Sequence, residues 1–263
     1  MTEPRELLGV AEQATTIATK LFLETPGGHL TAKGERDMAS EADYAIERAV
    51  RAFLAIETPS IAFIGEEDGT TGPDGDWAWI LDPIDGTVNY LHGSPLCAVS
   101  LALVHRNRPV LGIIDAPRLR TRFTAVEGGG AWENGNRIHT STVDRLDEAV
   151  VAIGDYAVGT DAQRKNDIRI KLTASLAATV QRIRMHGTAA IDFAFLAAGK
   201  IDATVTMSNN PWDMSAGVII AREAGALVVD ADGSEHTTES SATIGCAPGI
   251  SELILAMIAQ ARQ

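Results

Sequence analysis

The chain opens on a helical pattern. Leu7, Leu8, Ala11, Ala14, Ala18, Leu21 and Phe22 recur at helical spacing, which predicts an amphipathic helix ended by Gly27-Gly28. Ser40, with Asp43 three residues on, has the form of an N-cap for a second helix. Ala42, Ala45, Ile46, Ala49, Val50, Phe53 and Leu54 form its buried face, and Thr58-Pro59-Ser60 stops it. The period then shortens. Apolar runs at 61–64 and 77–81 predict strands, the second ending abruptly at Asp82-Pro83, with a loop holding Gly69, Gly72, Pro73 and Gly75 between them. Runs at 96–104, 110–114 and 122–126 predict a meander, with Gly128-Gly129-Gly130 and Asn134-Gly135-Asn136 as turns.

Beyond this point the pattern alternates. Strands are predicted at 149–153, 181–185, 201–207, 227–230 and 242–246, and helices at 164–179, 188–198, 213–224 and 250–260. Such alternation indicates an α/β layout. A shift of composition across 142–148 predicts an N-terminal α+β half, 1–146, and a C-terminal α/β half, 147–263. No repeat, heptad or low-complexity segment interrupts the pattern.

Composition narrows the class. The 263 residues are 45% hydrophobic and 22% charged, enough for a globular core without staples. The formal net charge of −13 argues against a nucleic acid polymer or an anionic membrane surface as partner. No apolar run reaches the ~18 residues of a membrane span. Residues 1–6 lack the basic start of a secretion signal, so a cytoplasmic location is expected. Cys97 and Cys246 both lie in apolar runs and are expected as buried free thiols.

The informative residues are acids at strand ends. Glu66 and Glu67 follow one predicted strand, and Asp82 and Asp85 follow the next within Asp82-Pro83-Ile84-Asp85-Gly86-Thr87. Open sheets place ligands at such ends. Converging carboxylates repel and call for a cation. An all-oxygen donor set, to which the Ile84 carbonyl could add, suits Mg²⁺ or Mn²⁺. Gly86 lets backbone approach a ligand, and free amides at a helix start near Gly86-Thr87 would suit phosphate. Paired cations about 4 Å apart could activate a water and stabilise a leaving oxygen. Each residue also has a plainer reading. Glu66-Glu67 could be a solvated turn, the Asp82–Gly86 run an ordinary turn former, Asp43 a cap for its own helix, and Trp212-Asp213 a core aromatic and a cap.

The combination resembles the inositol monophosphatase family of Mg²⁺-dependent, lithium-sensitive phosphatases. The matching segments are Gly65-Glu66-Glu67, residues 79–90 (Trp-Ile-Leu-Asp-Pro-Ile-Asp-Gly-Thr-Val-Asn-Tyr) and residues 211–217 (Pro-Trp-Asp-Met-Ser-Ala-Gly). Residues from Lys33 to Asp43 resemble the family's first motif, and Gly187-Thr188-Ala189-Ala190 its sugar-side loop. The likeness covers roughly Ala11 to Gly233 and implies a layered α-β-α-β-α sandwich. It also implies roles. Glu66, Asp82 and the Ile84 carbonyl would hold a first Mg²⁺, and Asp82, Asp85 and Asp213 a second. Glu66, with Glu67, would carry a weaker third. Thr87 and Asp43 would orient and deprotonate the attacking water. The amides of Gly86 and Thr87 would take phosphate oxygens, with Asp85, Gly187, Thr188, Ala189, Thr206 and Asp213 facing the substrate. A homodimer is a further implication, and the lack of a P-loop or of a carboxylate reserved as nucleophile leads us to expect direct in-line attack without a phosphoenzyme.

The likeness is incomplete on the substrate side. Many members carry Glu seven residues before the Trp-Asp aspartate, where this chain has Thr206. That leaves inositol phosphate in question and histidinol phosphate, sugar phosphates and nucleotide-type phosphates as alternatives. Ser208-Asn209-Asn210 could read a leaving group or form a surface turn, His186 could touch substrate or be structural, and Arg182 and Arg184 could meet a second phosphate or surface acids. A catalytically idle metal-binding regulator would be expected to lack part of the acidic set, and Glu66, Asp82, Asp85, Asp213, Thr87 and Asp43 are all present. Gly128-Gly129-Gly130 lacks the strand and helix context of a dinucleotide site.

Overall fold

The computed structural model describes residues 3–25, 30–34, 37–208 and 210–263, with backbone alone described across 30–39. Gly27-Gly28 and Asn209 lie outside the described residues, as does the side chain of Lys33. Helices α1 (Leu8–Glu24) and α2 (Glu41–Glu57) form the first layer, and between them runs a hairpin of β1 (Leu30–Gly34) and β2 (Asp37–Ser40). Ala11, Ala14, Ala18 and Phe22 line the buried face of α1, and Ala42, Ile46, Val50 and Leu54 that of α2. The short residues let the two helices lie close.

The second layer is an eight-stranded sheet. Its strands are β3 (Ala62–Gly65), β4 (Gly69–Thr71), β5 (Trp77–Asp85), β6 (Ala98–His105), β7 (Arg108–Ala116), β8 (Thr121–Val126), β9 (Ala131–Glu133) and β10 (Asn136–Ile138). Their order is β10-β9-β8-β7-β6-β5-β3-β4, antiparallel throughout except that β3 runs parallel to β5. Strand alternation divides the faces. Val99, Leu101, Leu103, Leu111 and Ile113 pack toward α1 and α2, whereas Ala98, Ala102, Ile114, Phe123 and Ala125 pack toward the next layer.

That third layer is the helix pair α5 (Ala189–Ala197) and α6 (Pro211–Glu223). Beyond it lies a five-stranded sheet of β11 (Val150–Ile153), β12 (Arg182–Arg184), β13 (Ala203–Thr206), β14 (Leu227–Val229) and β15 (Thr243–Cys246), ordered β12-β11-β13-β15-β14. β12, β11 and β13 are parallel, and β15 and β14 complete the sheet antiparallel. Helices α4 (Ala162–Thr179) and α7 (Ser251–Ala261) close the outside. The result is the α-β-α-β-α sandwich that the resemblance implies, with an apolar cluster filling each interlayer space. Cys97 and Cys246 are buried free thiols, as expected.

Glycines let the middle helices lie close to the first sheet and to each other. A Cβ on Gly112 of β7 would stand 2.7 Å from the Ala216 carbonyl oxygen of α6. One on Gly217 would stand 2.5 Å from Phe193 Cβ of α5.

Three local differences from the sequence reading have physical causes. The hairpin β1-β2 and the short strand β4 carry no period long enough to register as strands. β5 does not stop at Asp82-Pro83 but continues to Asp85 over a bulge, since Asp82 pairs with Ser100 and Asp85 with Ala98. Pro83 cannot donate to a ladder, and the bulge is where a strand tolerates that. Gly128–Gly130 and Asn134–Asn136 do turn the chain, but they bracket the small strand β9.

The tight α5–α6 contact yields a test. Gly217→Ala should lower unfolding free energy by about 1–3 kcal/mol through overpacking against Phe193. Urea denaturation measures this, and an unchanged midpoint would contradict the packing described.

Candidate active site

Parallel pairing brings the two acidic turns together. Gly65 pairs with Leu81, and the Glu66 N–H donates to the Leu81 carbonyl oxygen at 3.3 Å. Glu66, just past the carboxyl end of β3, therefore lies beside Asp82 at the start of the β5 bulge. Asp82 is buried, and its Oδ1 accepts from the Ile84 N–H at 3.0 Å, which fixes the bulge. Asp82 also sits opposite Ser100, whose hydroxyl donates to the Trp212 carbonyl oxygen at 3.5 Å. Through Ser100 the start of α6, and with it Asp213, comes over the Asp82 turn.

Three of the acids meet helix N-termini. Asp43 forms a capping box with Ser40, its Oδ2 accepting from the Ser40 N–H at 2.8 Å and from the Ser40 hydroxyl. Asp213 does the same for α6, its Oδ2 accepting from the Asn210 N–H at 3.0 Å and side-chain amide at 3.3 Å. Asp85 is not a cap of its own helix. Its Oδ2 accepts from the Thr188 hydroxyl at 2.6 Å and from the Ala190 N–H, where α5 begins. The capping reading of Asp43 and Asp213 is thus correct, and it coexists with convergence on one place.

A fourth helix start lies beside them. Gly86 adopts φ +87°, and the one-turn helix α3 (Thr87–Leu91) follows. A Cβ at Gly86 would stand 3.1 Å from the Leu96 carbonyl oxygen and 3.2 Å from Thr188 Cβ, so both space and dihedral require glycine. The Thr87 hydroxyl donates to the Ile84 carbonyl oxygen at 3.1 Å. Tyr90 anchors this turn, its hydroxyl donating to the Thr25 carbonyl oxygen at 2.6 Å and its ring packing edge-on against Phe22. Asn89 donates to the His186 carbonyl oxygen at 2.7 Å, tying α3 to the Gly187-Thr188 loop.

The electrostatics follow from burial and crowding. Asp82 is raised well above the usual carboxylate range, first by burial and then by Glu66, Asp85, Asp213 and Asp43. Burial pushes Asp85 up to about 7 against the lowering effect of Thr188, with Asp213 adding to the rise. Burial pushes Asp43 up to about 6 despite its bonds to Ser40, with Glu67 adding to the rise. The acids Asp43, Glu66, Glu67, Asp82, Asp85 and Asp213 thus lie within electrostatic reach of one another. Among the described residues, no three His, Cys, Asp or Glu side chains are gathered into a preformed cation cage. The donor chemistry nevertheless fits a hard divalent cation. The candidate ligands are all oxygens, and Asp43 Oδ1 is buried without a hydrogen-bond partner.

The residues expected to face the substrate lie at the carboxyl ends of β12 and β13. Gly187, Thr188 and Ala189 lead into α5 from β12, and Thr206 ends β13 against Gly154. His186 hydrogen-bonds Asp192 through Nδ1 and packs edge-on to Phe195, in keeping with a structural role. Arg182 and Arg184 donate to the carbonyl oxygens of Gln181 and Ile183 rather than to acids. Arg169 of α4, not singled out by sequence, is 7% exposed and bonds the Asp155 carbonyl oxygen at 2.9 Å and the Ser208 hydroxyl at 2.8 Å. Glu47 was likewise missed, although its position one helical turn after Asp43 is a usable signal.

Comparison with known proteins identifies the family. The sequence model of the Inositol monophosphatase family matches residues 3–263. A protein of Mycobacterium tuberculosis named probable inositol 1-monophosphatase ImpA is 36% identical over 256 residues, covering 95% of this chain and 93% of its own. A Thermotoga maritima protein named fructose-1,6-bisphosphatase/inositol-1-monophosphatase is 37% identical over 202 residues, covering 77% of this chain and 75% of its own. The solved structure of an IMPase from Thermotoga maritima superposes with a TM-score of 0.88 at 32% identity, covering 97% of this chain and 98% of that one. The chain belongs to the inositol monophosphatase family and is a phosphoric monoester hydrolase.

Proposed function

We propose that the protein is a Mg²⁺-dependent phosphatase that hydrolyses a small polyol or sugar phosphate monoester by in-line attack of a water. The observation that carries this reading is the crowding of Glu66, Asp85, Asp213 and Asp43 around buried Asp82, each raising its proton affinity. Mg²⁺, or Mn²⁺ in its place, would be held by Glu66, Asp82, Asp85, Asp213 and the Ile84 carbonyl, with Glu67 at a weaker position. When bound it supplies charge neutralisation and activation of water. Asp43 takes the proton of the attacking water through its unpartnered Oδ1, and Thr87 orients that water. The amides of Gly86 and Thr87 hold phosphate oxygens at the start of α3. Thr188 fixes Asp85 while the Gly187–Ala189 loop contacts the leaving group. Positioning and charge stabilisation account for most of the acceleration. Inhibition by lithium, a homodimeric state and a cytoplasmic setting belong to the same proposal. Among the described residues no helix is long and apolar enough to cross a membrane.

Thr206 supports a second reading of the substrate. A short neutral hydroxyl in place of a carboxylate acceptor weakens the case for inositol phosphate, so histidinol phosphate or a nucleotide-type phosphate is the second candidate. Phosphate release from polyol, sugar, nucleotide and amino-alcohol monophosphates, with and without MgCl₂, tests both. Mg²⁺-dependent release from at least one ester is expected, and blank-level release from all of them would contradict the proposal.

Two substitutions separate the roles. Asp82→Asn should remove nearly all turnover yet raise the melting temperature of the metal-free protein, because it relieves repulsion at a buried carboxyl. Ordinary Mg²⁺-dependent activity in that variant would refute its role. Asp43→Asn should cut kcat by about 10²–10⁴ while shifting the Mg²⁺ requirement little. A change confined to metal affinity would count against it as the proton acceptor.

The raised carboxyls also predict a pH dependence. The folded, metal-free protein keeps a proton on Asp85 up to about pH 7, whereas the unfolded chain releases it near 3.8. Its stabilising contribution is complete below the unfolded value and is lost as pH rises toward 7. Asp85→Asn should flatten the fall of metal-free stability across that window, and an identical slope in the variant would contradict the assignment.

A further inference from the structure

We infer that Glu47 is a positioning residue that sets the Glu66-Glu67 turn for the cation, an inference that rests on the phosphatase reading above. Glu47 lies on α2 one turn beyond Asp43 and is 0% exposed. Its carboxylate does not meet another side chain alone. Oε2 accepts from the Glu67 N–H at 2.8 Å and Oε1 from the Asp68 N–H at 2.9 Å. The same carboxylate is paired with Arg51, a further turn along the helix. Arg51 in turn donates to Thr71 Oγ1 at 2.7 Å and to the Gly69 carbonyl oxygen at 3.0 Å, and its guanidinium stands 4.7 Å from the Phe63 ring centre. One acid and one base on α2 therefore hold both sides of the β3–β4 hairpin.

Gly65 makes this latch possible. A Cβ there would stand 2.2 Å from Glu47 Cδ and within 2.4 Å of both carboxylate oxygens. The glycine of Gly65-Glu66-Glu67 thus provides the space that the Glu47 carboxylate occupies, rather than a special dihedral. The hydrogen bonds to the Glu67 and Asp68 amides fix the direction in which Glu66 and Glu67 leave the sheet. Because Glu47 and Asp43 share one face of α2, the latch also fixes the spacing between the proton acceptor and the Glu66 turn. A buried ion pair is weak evidence for stability by itself, since desolvation offsets the attraction. Its value here lies in geometry, as with outer residues that orient metal ligands.

The test compares wild type with Glu47→Gln and Gly65→Ala. Glu47→Gln keeps the volume and one acceptor, and Gly65→Ala displaces the carboxylate without touching it chemically. Amide hydrogen exchange at Glu67 and Asp68, calorimetric titration with MgCl₂ and circular dichroism are measured on each. Both folded variants should exchange those amides faster, bind Mg²⁺ about tenfold or more weakly, and recover activity as MgCl₂ is raised. A role confined to stability would lower the melting temperature and leave the Mg²⁺ requirement unchanged. Wild-type exchange, or a Mg²⁺ affinity within about twofold of wild type, in a folded variant overturns the inference. If Glu47→Gln does not fold, Gly65→Ala decides alone. If wild type binds no Mg²⁺, the phosphatase reading falls, and the exchange rates still decide whether Glu47 holds the turn.

Discussion

The structure depends on placing several carboxylates where helices begin. Asp43 and Asp213 cap α2 and α6, and Asp85 accepts from the start of α5. A helix N-terminus stabilises a nearby anion by about 0.3–1 kcal/mol, or about 2 kcal/mol when partly buried. Desolvating a carboxylate costs several kcal/mol in a real protein interior. The helix ends therefore reduce the penalty without removing it, in keeping with the burial that still pushes the Asp43 and Asp85 carboxyls upward. A proton or a divalent cation can supply the missing positive charge. On the proposed function, the same deficit that raises proton affinity would give the site its affinity for a metal.

The rest of the fold serves that placement. β3 and β5 are parallel within an otherwise antiparallel sheet, so Glu66 and Asp82 emerge at one edge. β12, β11 and β13 are parallel within the second sheet, and their carboxyl ends supply the Gly187 loop and Thr206. Ligand sites at the carboxyl ends of parallel strands are a general property of such sheets. The two sheets meet across α5 and α6, which approach closely because Gly112 and Gly217 give them room. That approach carries Asp213, from the far half of the chain, over Ser100 and onto the Asp82 turn.

Much of this was legible before any coordinates. The Ala-rich faces of α1 and α2 follow helical spacing, and the central strands β6 and β7 read as apolar runs. The Asp82–Thr87 run and Trp212-Asp213 pointed to one chemistry because their residue types fit a cation and a phosphate together. Their meeting was legible only by family likeness, since no local rule joins positions 82 and 213. β1, β2 and β4 are too short and polar to announce themselves. Pro83 suggested a strand end because the rule about proline in ladders does not say when a bulge will absorb it. Glu47 escaped notice since a lone acid on a helix reads as a solvated surface residue. Its importance comes from Gly65 and the two amides opposite, and those are tertiary facts.

Anomalous diffraction from crystals grown with Mn²⁺ is the most direct measurement. The account predicts peaks among Glu66, Asp82, the Ile84 carbonyl, Asp85 and Asp213, with those side chains drawn into coordination distance. Manganese bound only elsewhere on the molecule, with these carboxylates left on their helix ends, would contradict it.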